Sequence, residues 1–224
     1  DRTGRGKSSN DTDFMILALE TSTTHASLAL VANAGEPALR ECRFVSERAH
    51  NAVIFEPVTE LLADHRDEIR GIAIGLGPGS YGGVRVGIAV ANGLSLVLGI
   101  PVLGVSSLEA WEAAAPKYTV LGDARRKTFF RAEVADSLLQ GEPELLPEDE
   151  VIASVAESIR REEGIYVTAD ARVADAVPGV ILSYPAAARI ANRALQSAVS
   201  TWPEDALLEP HYLRAPYITV PKAK

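Results

Sequence analysis

A chain of 224 residues with 47% apolar side chains can bury a sizeable core, as one large domain or two small ones. Its 30 Asp and Glu against 22 Lys and Arg give a formal charge of −8, which argues against a protein that grips a nucleic-acid backbone by itself. The lone cysteine, Cys42, excludes an internal disulfide and fits a reducing compartment, so the expected location is cytoplasmic.

Residues 1–14 are polar and without period, which reads as a flexible extension or a remnant foreign to the fold. They contain no hydrophobic stretch of the kind a secretory signal needs. Met15 opens an apolar run, Met-Ile-Leu-Ala-Leu, that predicts a buried strand. A polar turn at Glu20–Thr24 leads to a second strand over His25–Ala32, and a third is expected over Ala38–Phe44. Short connections make these three an antiparallel meander.

From Asn51 the period changes. Val53, Ile54, Phe55, Val58, Leu61 and Leu62 recur at helical spacing, with Asn51 placed to cap the helix. Ile72–Ile74, boxed in by Gly71 and Gly75, predicts a short buried strand. The loop Gly77–Gly83 follows, then a helix over Val84–Leu98 that Gly99 stops and Pro101 keeps from resuming. Its apolar run is interrupted by Arg85, Gly87, Asn92, Gly93 and Ser95, short of the roughly 18–20 residues that span a bilayer. No membrane contact is expected. A strand over Pro101–Val105 and a helix from Ser107 through Trp111 complete the first half.

The second half reads as strands over Tyr118–Leu121 and Thr128–Val134, a helix over Ile152–Glu163, and strands over Ile165–Thr168 and Val180–Leu182. A last helix covers Ala186 to about Ser200, before an irregular tail with Pro203, Pro210, Pro216 and Pro221. The fold class is α/β, with two related subdomains, 15–105 and a reduced 106–224 that includes the tail.

The loop Gly77-Pro78-Gly79-Ser80-Tyr81-Gly82-Gly83 joins a buried strand to a helix N-terminus, a place that can hold an anion. It lacks the closing Gly-Lys-Ser/Thr of a P-loop and fails the dinucleotide fingerprint, so a structural turn and a phosphate site both stay open. In the helix after it, Gly87, Ala91 and Ser95 form a stripe of small residues, while Val84, Ile88, Val90, Leu94, Val97 and Leu98 cover most of the remaining circumference. A helix apolar nearly all round must be buried on more than one side. Either the second half of the chain or another chain can cover the surplus.

Signs of catalysis are missing. His25, His50, His65 and His211 show no i, i+4 pair and the cysteine has no cysteine partner, so no metal site and no cofactor are expected. No Gly-x-Ser-x-Gly elbow surrounds Ser22, Ser80 or Ser106. The clusters Arg125-Arg126-Lys127 and Arg160-Arg161 read as solvated surface, as do the carboxylates Glu148-Asp149-Glu150 and Glu162-Glu163. Glu20, Thr21, Ser22 and Asp123 stand at strand ends, where sugar-kinase-like and actin-like proteins hold phosphates and metal, which leaves weak nucleotide binding open.

Four segments together resemble the TsaB (YeaZ) family: Ile16–Thr23, Gly75–Gly87, Gly104–Ala110 and Asp123–Arg126, with Tyr212-Leu213-Arg214 a weaker echo. The resemblance covers Met15 to about Arg131. It implies an actin/Hsp70/sugar-kinase-like fold with a reduced second domain. It further implies a non-catalytic subunit in the making of threonylcarbamoyladenosine in tRNA, paired with the catalytic paralogue TsaD and joined by the ATPase TsaE. In that family TsaD carries a metal-binding His-x-x-x-His, and tRNA is reached through the complex. The family's interface uses the two N-terminal helices, here Asn51–Asp64 and Val84–Leu98. Ile54, Val58, Leu61, Val84, Gly87, Ile88, Ala91 and Ser95 are the interface residues expected, for the paralogue or for a homodimer. Two departures stand out: Glu20 where the family commonly has Asp, and His50-Asn51-Ala52 where it has a His-Ser-Glu-like start. The competing reading is an ATP-dependent kinase-like or metallopeptidase-like enzyme of the same fold.

Overall fold

A computed structural model describes residues 15–45, 53–112, 115–203 and 207–213. The first sheet is built from β1 (Met15–Glu20), β2 (His25–Val31), β3 (Arg40–Val45), β4 (Ile69–Gly75) and β5 (Val102–Val105), in the order β3-β2-β1-β4-β5. The expected meander is present: β1 pairs antiparallel with β2, and β2 with β3. Strands β4 and β5 extend the sheet in parallel, each reached through a helix-containing crossover.

Two helices connect these strands, α1 (Phe55–Ala63) and α2 (Tyr81–Leu98). Asn51, expected to cap the first helix, lies outside the described residues, as do His50 and Ala52. Helix α2 starts three residues earlier than its apolar period suggests. Ser80 caps it, its Oγ accepting from the Gly83 amide, and Gly99 closes it at φ 64°. At 18 residues and a mean hydropathy of 1.4 it is long and apolar enough to cross a bilayer, so the interruptions noted in its sequence do not exclude a span. It packs instead on β4, β1 and β5.

A strand covered on both faces reads as continuously apolar, and β1 and β2 are buried along nearly their whole length. Leu17, Leu19, Leu28, Leu30, Ile72 and Ile74 meet α1 and α2 on one face. Ile16, Ala18, Ala29 and Ala73 face the other way, toward α5 (Ala187–Ala194). The alanines on that side, with Ala187 and Ala191 of the helix, permit a close approach. Burying each large aliphatic side chain contributes about 1.5–3 kcal/mol.

The second sheet holds β6 (Lys117–Asp123), β7 (Thr128–Ala135), β8 (Leu138–Leu139), β9 (Glu144–Pro147), β10 (Tyr166–Thr168) and β11 (Ile181–Leu182). Helices α3 (Glu148–Arg160) and α4 (Ala171–Ala176) pack against it through Val151, Val155, Val173 and Val177. The boundary expected at 105/106 separates the two sheets but not the packing units. Helix α5 and Trp202 return to the first sheet, where the Gly71 backbone leaves room for the indole. The helix expected over 107–111 is only a 3-10 turn, Ser107–Ala110, and the one expected to Ser200 ends at Ala194.

Candidate functional site

At the end of β1, Glu20 is fully buried. Its carboxylate accepts hydrogen bonds from the Ser22 amide at 2.6 Å and the Ser107 hydroxyl at 2.7 Å, and Ser107 Oγ accepts from the Gly77 amide at 3.0 Å. Burial pushes the carboxyl above its ordinary range, against hydrogen bonds from Ser22 and Ser107 that pull it down. The carboxylate lies over β4, where a Cβ on Gly75 would fall 2.0 Å from Oε2. Thr21 is equally buried and donates to the Gly83 carbonyl at 2.9 Å. Both residues tie the β1 turn to the Gly77–Gly83 loop.

The loop closes onto that turn. Ser80 N donates to Ser22 O at 2.6 Å, and Gly79 passes so close to Ser22 that a Cβ there would fall 2.1 Å from the same carbonyl. The Gly77–Pro78 peptide is cis. In front of this junction lies a cleft of about 680 Å³ between the two sheets. Ser22, Thr23, Gly79 and Ser80 line one side, and Asp123, Arg125, Thr168 and Asp170 the other. Of the four residues expected at a nucleotide site, the structure brings only Ser22 and Asp123 to this cleft. Ser22 Oγ is buried and has no hydrogen-bond partner among the described residues. Asp123 accepts from the Arg125 amide at 2.7 Å and pairs with Arg172 at 3.3 Å.

Arg125, Arg126 and Lys127 form the tip of the β6–β7 hairpin, all three in the left-handed region, at φ 66°, 55° and 56°. Residues 207–213 cross the outside of the glycine loop. His211 N donates to Leu76 O at 2.8 Å, and the Tyr212 ring stacks on Tyr81 at 5.5 Å between centroids. Sequence reasoning missed Ser107 and Tyr212 as parts of this site. The polar network of Ser107 depends on a strand pairing that no local pattern announces, and Tyr212 showed only in the Tyr-Leu-Arg echo.

The residues expected at the partner interface need correction. Ile54, Val58, Leu61, Val84, Gly87, Ile88 and Ala91 are all buried inside this chain, facing the first sheet. Only Ser95 is half-buried, and it donates to the Ile100 carbonyl. The small-residue stripe serves the sheet: a Cβ on Gly87 would stand 2.2 Å from Thr21 Oγ1. What α2 turns outward is a different stripe. Leu96 is 85% and Val97 70% exposed, Ala89 and Gly93 are exposed, and Val86 and Val90 are half-buried. On α1, Phe55 is 58% exposed. Arg85 is the charged residue on the outer face of α2, and it donates to the Tyr81 hydroxyl.

Residues 44–166, just over half of the chain, match the family model described as "TsaD: tRNA N6-adenosine threonylcarbamoyltransferase". A Haemophilus influenzae protein named tRNA threonylcarbamoyladenosine biosynthesis protein TsaB is 36% identical over 106 residues, 46% of this chain and 44% of that protein. A tRNA N6-adenosine threonylcarbamoyltransferase of Porphyromonas gingivalis is 36% identical over 113 residues, 44% of this chain and 33% of that one. The matched segment spans less than half the length of either relative. Among solved structures, a Pseudomonas aeruginosa protein described as similar to peptidase YeaZ superposes with a TM-score of 0.69 at 26% identity, over 90% of this chain and all of that one.

Proposed function

The chain belongs to the TsaB (YeaZ) family, within the group that the TsaD description covers, and from that premise we propose that it is a non-catalytic docking subunit. Its fold is the actin/Hsp70/sugar-kinase-like fold of that family. In this reading it binds a TsaD-type transferase that forms threonylcarbamoyladenosine in tRNA, and a TsaE-type ATPase joins the pair. The tRNA is bound by the complex rather than by this acidic chain.

The observation that supports it best is the outer face of α2. Leu96, Val97 and Ala89 form an apolar stripe on a helix whose inner face is already satisfied by the sheet. A stripe of this kind suits a second helix, and the adjoining exposed Phe55 of α1 widens it. A paralogue with the same sheet-packed helix pair presents a matching surface. The test is reconstitution of the tRNA modification from the transferase, the ATPase and tRNA, with and without this chain. Omission should stop product formation, and Leu96→Asp with Val97→Asp should act like omission. A homodimer that persists beside the transferase without binding it would overturn the reading. Turnover of ATP or a peptide by the isolated chain would favour the kinase-like or metallopeptidase-like enzyme.

A second reading concerns the cleft. The unpartnered Ser22 hydroxyl, beside the N-terminus of α2, supports a weak nucleotide site shared with Asp123. Calorimetric titration with ADP and Mg²⁺ tests it. Ser22→Ala should weaken any heat of binding seen in the parent chain, and equal heats in both would sink the assignment.

A further inference from the structure

The outward residues of α2 run in one line: Tyr81, Arg85, Ala89, Asn92 and Leu96 are all exposed and follow one another at the spacing of a single helix face. From Tyr81 to Leu96 the line runs roughly 22 Å along the helix. Its C-terminal part is the apolar stripe of Ala89, Leu96 and Val97. Its N-terminal end is different in kind. Tyr81 is 55% and Tyr212 41% exposed, and their rings stack at 5.5 Å. The Arg85 guanidinium sits 5.1 Å from the Tyr81 ring centroid and donates an N–H to the Tyr81 hydroxyl.

A guanidinium carries several N–H donors in a planar fork, and the Tyr81 hydroxyl takes one of them. No carboxylate among the described residues forms an ion pair with Arg85. In water that arrangement is harmless. Under a docked helix the charge loses its solvent, and a guanidinium buried without a counter-charge is strongly unfavourable. A partner that covers this end of α2 therefore has to bring an acidic side chain to it. A second copy supplies none from the same helix, because α2 contains no Asp or Glu. The apolar stripe tolerates many partner helices in many registers, whereas one desolvated charge accepts only a carboxylate at the matching height.

Resting on the docking reading of α2, we propose that Arg85 is the contact that selects the partner. Its guanidinium, steered by the Tyr81 hydroxyl, receives an Asp or Glu carboxylate from a helix of the transferase in a charge-assisted pair. The planar fork of an arginine matches the two oxygens of a carboxylate, which an ammonium cannot do. Exposed Tyr and Arg side chains grouped in this way are the residues that carry most of the binding energy of protein interfaces. Ala89, Leu96 and Val97 then contribute apolar area, and Arg85 fixes the register in which the two helices meet.

Sedimentation velocity of the full chain with a TsaD-type transferase, at low and at high NaCl, tests this directly. Parent binding should weaken as salt rises. Arg85→Met should bind about 10- to 100-fold more weakly and lose most of that salt dependence. Arg85→Lys should keep the salt dependence and recover only part of the affinity, because it restores the charge without the fork. Both variants should melt with the parent, since Arg85 is exposed. Arg85→Met binding within about twofold of the parent, with the same salt dependence, would overturn the assignment and leave the apolar docking surface standing. A parent chain that does not bind the transferase overturns the docking reading and this contact with it. Weaker self-association of Arg85→Met beside unchanged transferase binding would overturn the assignment as well, because a second copy would then carry the carboxylate.

Discussion

Glu20 and Ser107 stand 87 positions apart and are joined by a 2.7 Å hydrogen bond from the serine hydroxyl to the carboxylate. The same hydroxyl accepts from Gly77 N, so one buried carboxylate sets the β1 turn, the glycine loop and the turn after β5 together. The Gly77–Gly83 loop is therefore held from below by a polar network as well as by its own glycines.

The pH dependence of stability follows from that burial. A carboxyl held above its ordinary value of 4.5 takes up a proton more readily in the folded chain than in the unfolded one. Its contribution is fully present below the unfolded value and is lost as pH rises through the folded one. Glu20→Gln removes the titrating group, so the melting temperature of the parent should fall relative to the variant as pH climbs above that ordinary value. Glu20→Ala leaves the Ser22 amide and the Ser107 hydroxyl without their acceptor and opens a cavity, costing about 2–4 kcal/mol in denaturant titrations. A parallel pH course for parent and Gln variant would show that burial does not raise the Glu20 carboxyl above its value in the unfolded chain.

Gly87 illustrates a conflict between local preference and packing. Alanine favours a helix interior by about 1 kcal/mol over glycine. Here its Cβ would stand 2.2 Å from Thr21 Oγ1 and 2.9 Å from Ile74 Cδ1, inside the packed face. Gly87→Ala should therefore destabilise by about 1–3 kcal/mol despite the propensity gain. Adding Thr21→Ala removes the nearer atom, and the double variant should recover part of the loss in a double-mutant cycle.

Much of the first sheet is legible in sequence because its strands are fully apolar and its helices long. Ser80 and Gly99 bracket α2 by cap chemistry, although Tyr81 to Gly83 look too loop-like to be counted in it. Leu138-Leu139 and Ala171–Ala176 are too short to show a period, so β8 and α4 escape notice. The inner and outer faces of α2 are not legible at all. Apolar residues surround it, so periodicity carries no phase, and tertiary packing, including the close approach of Gly87 to Thr21, fixes which stripe meets the sheet. Glu20 and Thr21 read as cleft residues because they end a strand; burial turned them to hold the loop instead.

Among the described residues, the strap of residues 207–213 is held by one backbone bond, the packing of Leu208 and one ring stack. Tyr212→Ala removes the stack on Tyr81 and should cost about 0.5–1.5 kcal/mol, felt locally. The His211 amide should exchange faster while amides of β1 and β4 are unchanged. Tyr212→Phe keeps the ring and should restore protection; if it behaves like alanine, the hydroxyl rather than the stack holds the strap.

Substitutions on the two faces of α2 should separate folding from docking. Ile88 and Ala91 are 7% and 0% exposed, so Ile88→Asp or Ala91→Asp buries an unpaired carboxylate and should unfold the chain or cost several kcal/mol. Loss of partner binding in such variants says nothing about an interface. Leu96 and Val97 point to solvent, and Leu96→Asp or Val97→Asp should change stability by no more than about 0.5 kcal/mol. If the outer stripe is the docking surface, these variants melt like the parent yet fail to co-sediment with the transferase. Normal co-sedimentation of the Leu96→Asp/Val97→Asp double variant would move the interface away from α2.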